Sequence, residues 1–170
     1  EHGTCWFAAA GTWPPSLADT LDGKGVRFGD KTATLEAVGL LLPLLLLPDW
    51  IRGRNVVLQV DNAAVVYGWR KRHVAGDETA TVLLRALHTI SAFLECRIFV
   101  RHVARCSTTA SSMADALTRV ETAGDARDYV AHSGVRDPPE SLWQWLRDPR
   151  PDWRLGFRLV NALRSNNQNK

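Results

Sequence analysis

Apolar residues along this chain follow two rhythms. Cys5 to Ala10 (CWFAAA) is a short apolar run ahead of Gly11, and Val56 to Val60 (VVLQV) is a second, unbroken one. Cys96 to Val103 (CRIFVRHV) sets Ile98, Val100 and His102 against Phe99, Arg101 and Val103. Short β-branched and aromatic runs, the last with a period of two, predict three strands. The near-continuous apolarity of 56–60 predicts a central strand buried on both faces. A further short strand is expected around Val26 to Phe28, among Gly23, Gly25 and Gly29.

Helical spacing governs the rest. A helix is predicted from Thr32, capped by Asp30 or by Thr32 itself, through Leu35, Glu36, Val38 and the leucines up to Leu47. It is apolar almost all round, so it belongs inside the core. Pro43 is expected to kink it and Pro48 to end it. Ala63 to Arg72 reads as a second helix. Residues 77–95 place Leu83, Leu84, Leu87, Ile90 and Leu94 on one helical face. A polar loop over 105–112 leads to another helix from Met113 to Val120.

The order is therefore β, a second short β, α, β, α, α, β, α, which predicts an α/β fold. After about residue 123 the character changes, with Asp137-Pro138-Pro139 and Asp148-Pro149-Arg150-Pro151. Two short helices are expected near 140–147 and 153–164. The division expected is a domain over 1–122 and a C-terminal helical extension or linker over 123–170. Aromatic burial predicts that such an extension packs Trp143, Trp145 and Trp153 on the sheet.

Composition narrows the function classes. Twenty-one Lys and Arg against 18 Asp and Glu leave a net charge of +3, which permits a nucleic-acid partner without demanding one. Cys5, Cys96 and Cys106 form no CxxC pair, which argues against structural zinc and a disulfide framework. Reduced thiols fit an intracellular protein, cytoplasmic or nuclear. The greasiest stretch, Ala37 to Leu47, falls short of the roughly 20 residues of a membrane span, so no membrane partner is expected. The first residue is Glu1, not Met, and the chain reads as a piece of a longer protein.

The chemistry is in the acidic residues at the edge of this apolar core. Asp61 follows the best strand directly, and open α/β sheets bind ligands at that edge. Glu36 sits on the buried helix before that strand, and Asp115 on the helix after the last one. Carboxylates gathered at one spot would repel each other and resist ionisation. A divalent cation relieves both problems, because hard cations take carboxylate oxygens. Each residue also has an ordinary reading: Asp61 as the N-cap of the helix from Ala63, Glu36 and Asp115 as exposed helix residues. Arg70-Lys71-Arg72-His73 reads either as a set of phosphate contacts or as a solvated helix end favoured by the dipole. Trp69 beside it reads as a stacking face or as a packing residue.

Three stretches together resemble the ribonuclease H domains attached to retroelement reverse transcriptases, in particular the group carrying tyrosine recombinases. They are Thr34-Leu35-Glu36-Ala37, then Val57 to Val65 (VLQVDNAAV), then His102 to Arg119 ending in Met113-Ala114-Asp115-Ala116-Leu117-Thr118-Arg119. The resemblance covers about residues 1–120. It implies a ribonuclease H-like mixed sheet flanked by helices. It also implies cleavage of the RNA strand of RNA–DNA hybrids by two-metal hydrolysis. Glu36, Asp61 and Asp115 would hold Mg2+ or Mn2+, and His102 would assist as a catalytic residue. Asn62, Arg70, Lys71 and Arg72 would contact nucleic acid, and a reverse transcriptase domain would lie in the same parent chain.

The sequence departs from the family at its start and between His102 and Asp115, where the loop is also longer than the family pattern. The family's opening strand, with its Asp, has no counterpart before Cys5, and Glu1 to Phe7 resemble its second strand, so the domain reads as N-terminally truncated. Ala104-Arg105 replaces Pro-Gly and Ser111 stands where Asn is common, which leaves His102 a second reading as an ordinary strand-end histidine. The alternatives are a non-catalytic nucleic-acid-binding module, a degenerate retroelement fragment, or an integrase-like core.

Overall fold

The run at 56–60 becomes strand β1 (Asn55–Val60), which pairs in parallel with β2 (Arg97–His102), Asn55 beside Arg97 and Val60 beside His102. The computed structural model describes residues 32–104, 140–147 and 154–168. The expected strands at 5–10 and 26–28 and the expected helix at 113–120 lie outside them. The chain divides into two compact units, Glu1–Trp13 with Ala104–Asp137 and Pro14–Val103 with Pro138–Lys170. The account below concerns the second unit, an α/β body that is mostly helical around a small parallel sheet.

Helix α1 (Thr32–Leu46) is the greasy helix, and it is buried at Ala37, Val38, Leu40, Leu41, Leu44, Leu45 and Leu46. It runs through Pro43. The hydrogen bond that proline cannot make falls at Gly39, four residues earlier. Gly39 is exposed, so water can take its carbonyl. Pro48 then opens a single turn, α2 (Pro48–Ile51), as its N-terminal residue. Gly53, at φ 71°, turns the chain into β1, and its amide donates to the Leu94 carbonyl at 2.9 Å.

Two helices make the crossover between the parallel strands. Helix α3 (Ala63–Lys71) buries Val65, Val66 and Gly68. Helix α4 (Glu78–Phe93) buries Leu83, Leu84, Leu87 and Ile90, the residues whose spacing marked it. Asp77 caps α4, its carboxylate accepting from the Ala80 amide at 2.9 Å. Thr81 closes the preceding turn: its hydroxyl accepts from the Val74 amide at 2.9 Å and donates to the Asp77 carbonyl at 3.0 Å.

Helices α5 (Glu140–Arg147) and α6 (Leu155–Gln168) follow, and α6 reaches four residues beyond the predicted end. Leu142, Trp145, Leu146, Leu155, Leu159 and Leu163 are buried. Among the described residues the extension packs along α4, with α5 against α6. Gly156 is the close point: a Cβ there would lie 2.7 Å from the Thr89 Cβ. The placement of Trp153 and of the Trp143 side chain lies outside the described residues.

One expectation is corrected. Among the described residues β1 is covered on one face: Leu58 and Val60 are buried, while Val57 is 49% exposed and Gln59 is exposed. Helices α1 and α3 pack on β1, and burial of Leu58 and Val60 keeps that row apolar. No described helix covers the row of Val57. Among the described residues no helix is long and apolar enough to cross a membrane.

Candidate functional site

Both strands end at the same edge, and Asp61 and His102 stand there. Val60 pairs with His102, and the Val103 amide donates to the Val60 carbonyl at 3.0 Å. Asp61 is therefore the first residue past the sheet on β1, and His102 the last residue within it on β2. Neighbouring strands lie about 4.8 Å apart, so the two are close across the edge. The pleat puts His102 on the row of Val100, which is buried; His102 is exposed because the strand end clears the core.

The helix cap at this edge is Asn62, not Asp61. The Asn62 carbonyl oxygen accepts from the amides of Ala64 at 2.9 Å and Val65 at 3.3 Å. With φ −100° and ψ 107°, Asn62 has the extended backbone of an N-cap. Asn62 thus has a structural task, and the ordinary reading of Asp61 as the cap is removed. Asp61 is left exposed at the carboxyl edge of a parallel sheet.

Glu36 is half-buried in the second turn of α1. Two residues earlier, the Thr34 hydroxyl reaches both carboxylate oxygens of Asp77, at 3.0 and 2.9 Å, which ties the start of α1 to the start of α4. The far end of α4 meets the amino edge of the sheet, where Leu94 accepts from Gly53. The Thr34–Asp77 contact thus sets the start of α1 beside the start of α4. Asp115 is outside the described residues. Among the described residues no three His, Cys, Asp or Glu side chains cluster as a metal group.

Arg70 and Lys71 occupy the last turn of α3, and Arg72 is its C-cap in the left-handed region at φ 57°. All three are exposed, as is His73. They stand at the end of the helix that favours cations, about 13 Å along α3 from Asn62. The Arg72 carbonyl accepts from the Arg85 Nε at 3.2 Å. Trp69 stacks on His88, ring centroids 3.7 Å apart and planes within 4°, so its face is used in packing α3 on α4. Burial lowers the His88 pKa from its ordinary 6.5; a hydrogen bond with the Trp69 backbone opposes this, and the Arg72 charge adds to it.

The sequence reading missed a second surface. On the row of the sheet that no described element covers, Arg97, Phe99 and Arg101 of β2 lie beside Asn55, Val57 and Gln59 of β1. Its signal was the Arg-x-Phe-x-Arg alternation, which identified a strand but was not read as a site.

Compared with known proteins, the chain matches no family model, and no curated protein or solved structure matches it.

Proposed function

We propose that this chain is the ribonuclease H-like nuclease part of a reverse transcriptase polyprotein and hydrolyses the RNA strand of RNA–DNA hybrids. The observation that carries the reading is Asp61: it stands exposed at the carboxyl edge of a parallel sheet, with the capping task taken by Asn62. Among the described residues no hydrogen bond or ion pair gives that carboxylate a structural task, and that edge is where α/β sheets hold ligands.

The donor chemistry fits a hard divalent cation. Glu36 and Asp61 offer carboxylate oxygens, and magnesium needs only one or two of these together with water and substrate phosphate oxygens. Glu36, Asp61 and Asp115 are the proposed ligands. Bound Mg2+ or Mn2+ would supply charge neutralisation at the scissile phosphate and a lowered pKa for water. The chain's own part is to hold those carboxylates at one edge and to offer His102, one strand over, as a proton acceptor or donor. Arg70, Lys71 and Arg72 supply phosphate contacts away from the carboxylates.

The test is cleavage of a labelled RNA–DNA hybrid with Mg2+ and with excess chelator. RNA-strand cleavage that the chelator abolishes supports the reading. Tight hybrid binding without cleavage, when the chain is also assayed within its parent polyprotein, points to the non-catalytic module. DNA strand transfer points to an integrase-like core.

A further inference from the structure

We infer that the row of the sheet that no described element covers is a binding track for single-stranded nucleic acid. Parallel register sets Asn55, Val57 and Gln59 beside Arg97, Phe99 and Arg101. Val57 is 49% and Phe99 47% exposed, and the four polar residues are exposed as well. One aromatic ring thus lies open on a rigid sheet, with a guanidinium two residues to either side along the same strand. The six strand residues of this row include two cations and no carboxylate.

The chemistry selects the occupant. A protein interface core is depleted in charge and rich in apolar area, whereas here two arginines and two amides surround a Phe–Val pair. Arginines match phosphates, and an aromatic face takes any base by stacking. Arg97 and Arg101 are about 13 Å apart along the strand, comparable with the rise over about four stacked nucleotides. Phe99 sits midway, so one base can stack while phosphates on either side meet the arginines. Asn55 and Gln59 offer amide donors and acceptors to base edges. The track runs toward the edge where Asp61 stands. It goes beyond the proposed nuclease, because binding here needs none of the three carboxylates.

The experiment is fluorescence anisotropy of the full chain with a labelled 12-nucleotide oligo-dT, in chelator, over a salt series. Phe99→Ala is expected to weaken binding at least about fivefold, the lower bound for losing one stacked base. Phe99→Leu, which keeps apolar bulk without a ring, is expected to weaken it similarly. The double variant Arg97→Ala/Arg101→Ala is expected to lower the slope of log affinity against log salt by about 1.4, two phosphate contacts on a single strand. Phe157→Ala, which removes an exposed ring on α6, is expected to bind as the wild type does. Binding by the Phe99 and arginine variants within twofold of wild type would overturn the inference. So would sedimentation showing a dimer that Phe99→Ala dissociates, because a second copy would then occupy the face. Cleavage plays no part in this readout, so failure of the nuclease reading leaves its result intact.

Discussion

The imidazole of His88 lies flat on the indole of Trp69, with centroids 3.7 Å apart. This contact joins α3 to α4. The His88 Nε2 is buried with no hydrogen-bond partner among the described residues, and the Arg72 charge also opposes protonation. The folded pKa lies below the ordinary 6.5, so below that pH the unfolded chain binds more protons than the folded one. Stability from this site is complete above about pH 6.5 and declines as the pH falls below it. Urea midpoints at pH 7.5 and 5.5 measure the decline. His88→Phe, which keeps a ring on Trp69, is expected to reduce the pH difference. An unchanged difference would mean that His88 is not the group responsible.

Asp77 caps α4 and holds Thr34, so one carboxylate serves two elements. Asp77→Ala removes a cap, worth about 0.5–2 kcal/mol, and leaves the buried Thr34 hydroxyl unpaired, about 1–3 kcal/mol more. The expected loss is about 2–4 kcal/mol in equilibrium unfolding. Asp77→Asn keeps an acceptor and is expected to lose less than half of that. Equal losses for the two variants would show that charge rather than hydrogen bonding fastens α1 to α4.

Gly156 tests whether α6 belongs to the core. An alanine there gains helix propensity of about 1 kcal/mol but drives its Cβ into Thr89. Overpacking of this kind costs about 1–3 kcal/mol, so Gly156→Ala is expected to lower the thermal midpoint. A raised midpoint would mean that α6 stands away from α4 in solution.

The helices at the core were legible because their apolar period is local: Leu83, Leu87 and Ile90 mark the buried face of α4 without reference to any neighbour. Burial of a strand is a different matter. VVLQV reads the same whether layers cover one face or two, and only the neighbours decide that Val57 stays open while Leu58 does not. The acceptor at the start of α3 was also ambiguous, since Asp61 and Asn62 are adjacent and both residue types cap well. Backbone placement gives the cap to Asn62. The parallel register that brings His102 level with Val60 depends on a crossover of more than 30 residues, which no local pattern encodes.

The division of labour at the strand end predicts opposite phenotypes for adjacent residues. Asn62→Ala is expected to destabilise the fold by about 1 kcal/mol, the usual loss of an N-cap. Asp61→Ala is expected to change stability by less than about 0.5 kcal/mol, as for an exposed residue without a packing role. Urea midpoints decide it. A larger loss at Asp61 than at Asn62 would return Asp61 to a structural role.

Asp61→Asn gives the most direct test of the account. RNA-strand cleavage of a labelled RNA–DNA hybrid in Mg2+ is measured for this variant and for the wild type, beside their urea midpoints. Loss of a ligand carboxylate is expected to reduce cleavage at least about 100-fold, several kcal/mol of charge stabilisation, with the midpoint unmoved. Cleavage kept within a few-fold of wild type, or lost only as far as the fold is lost, would contradict the assignment of Asp61 as the carboxylate at which this protein does its chemistry.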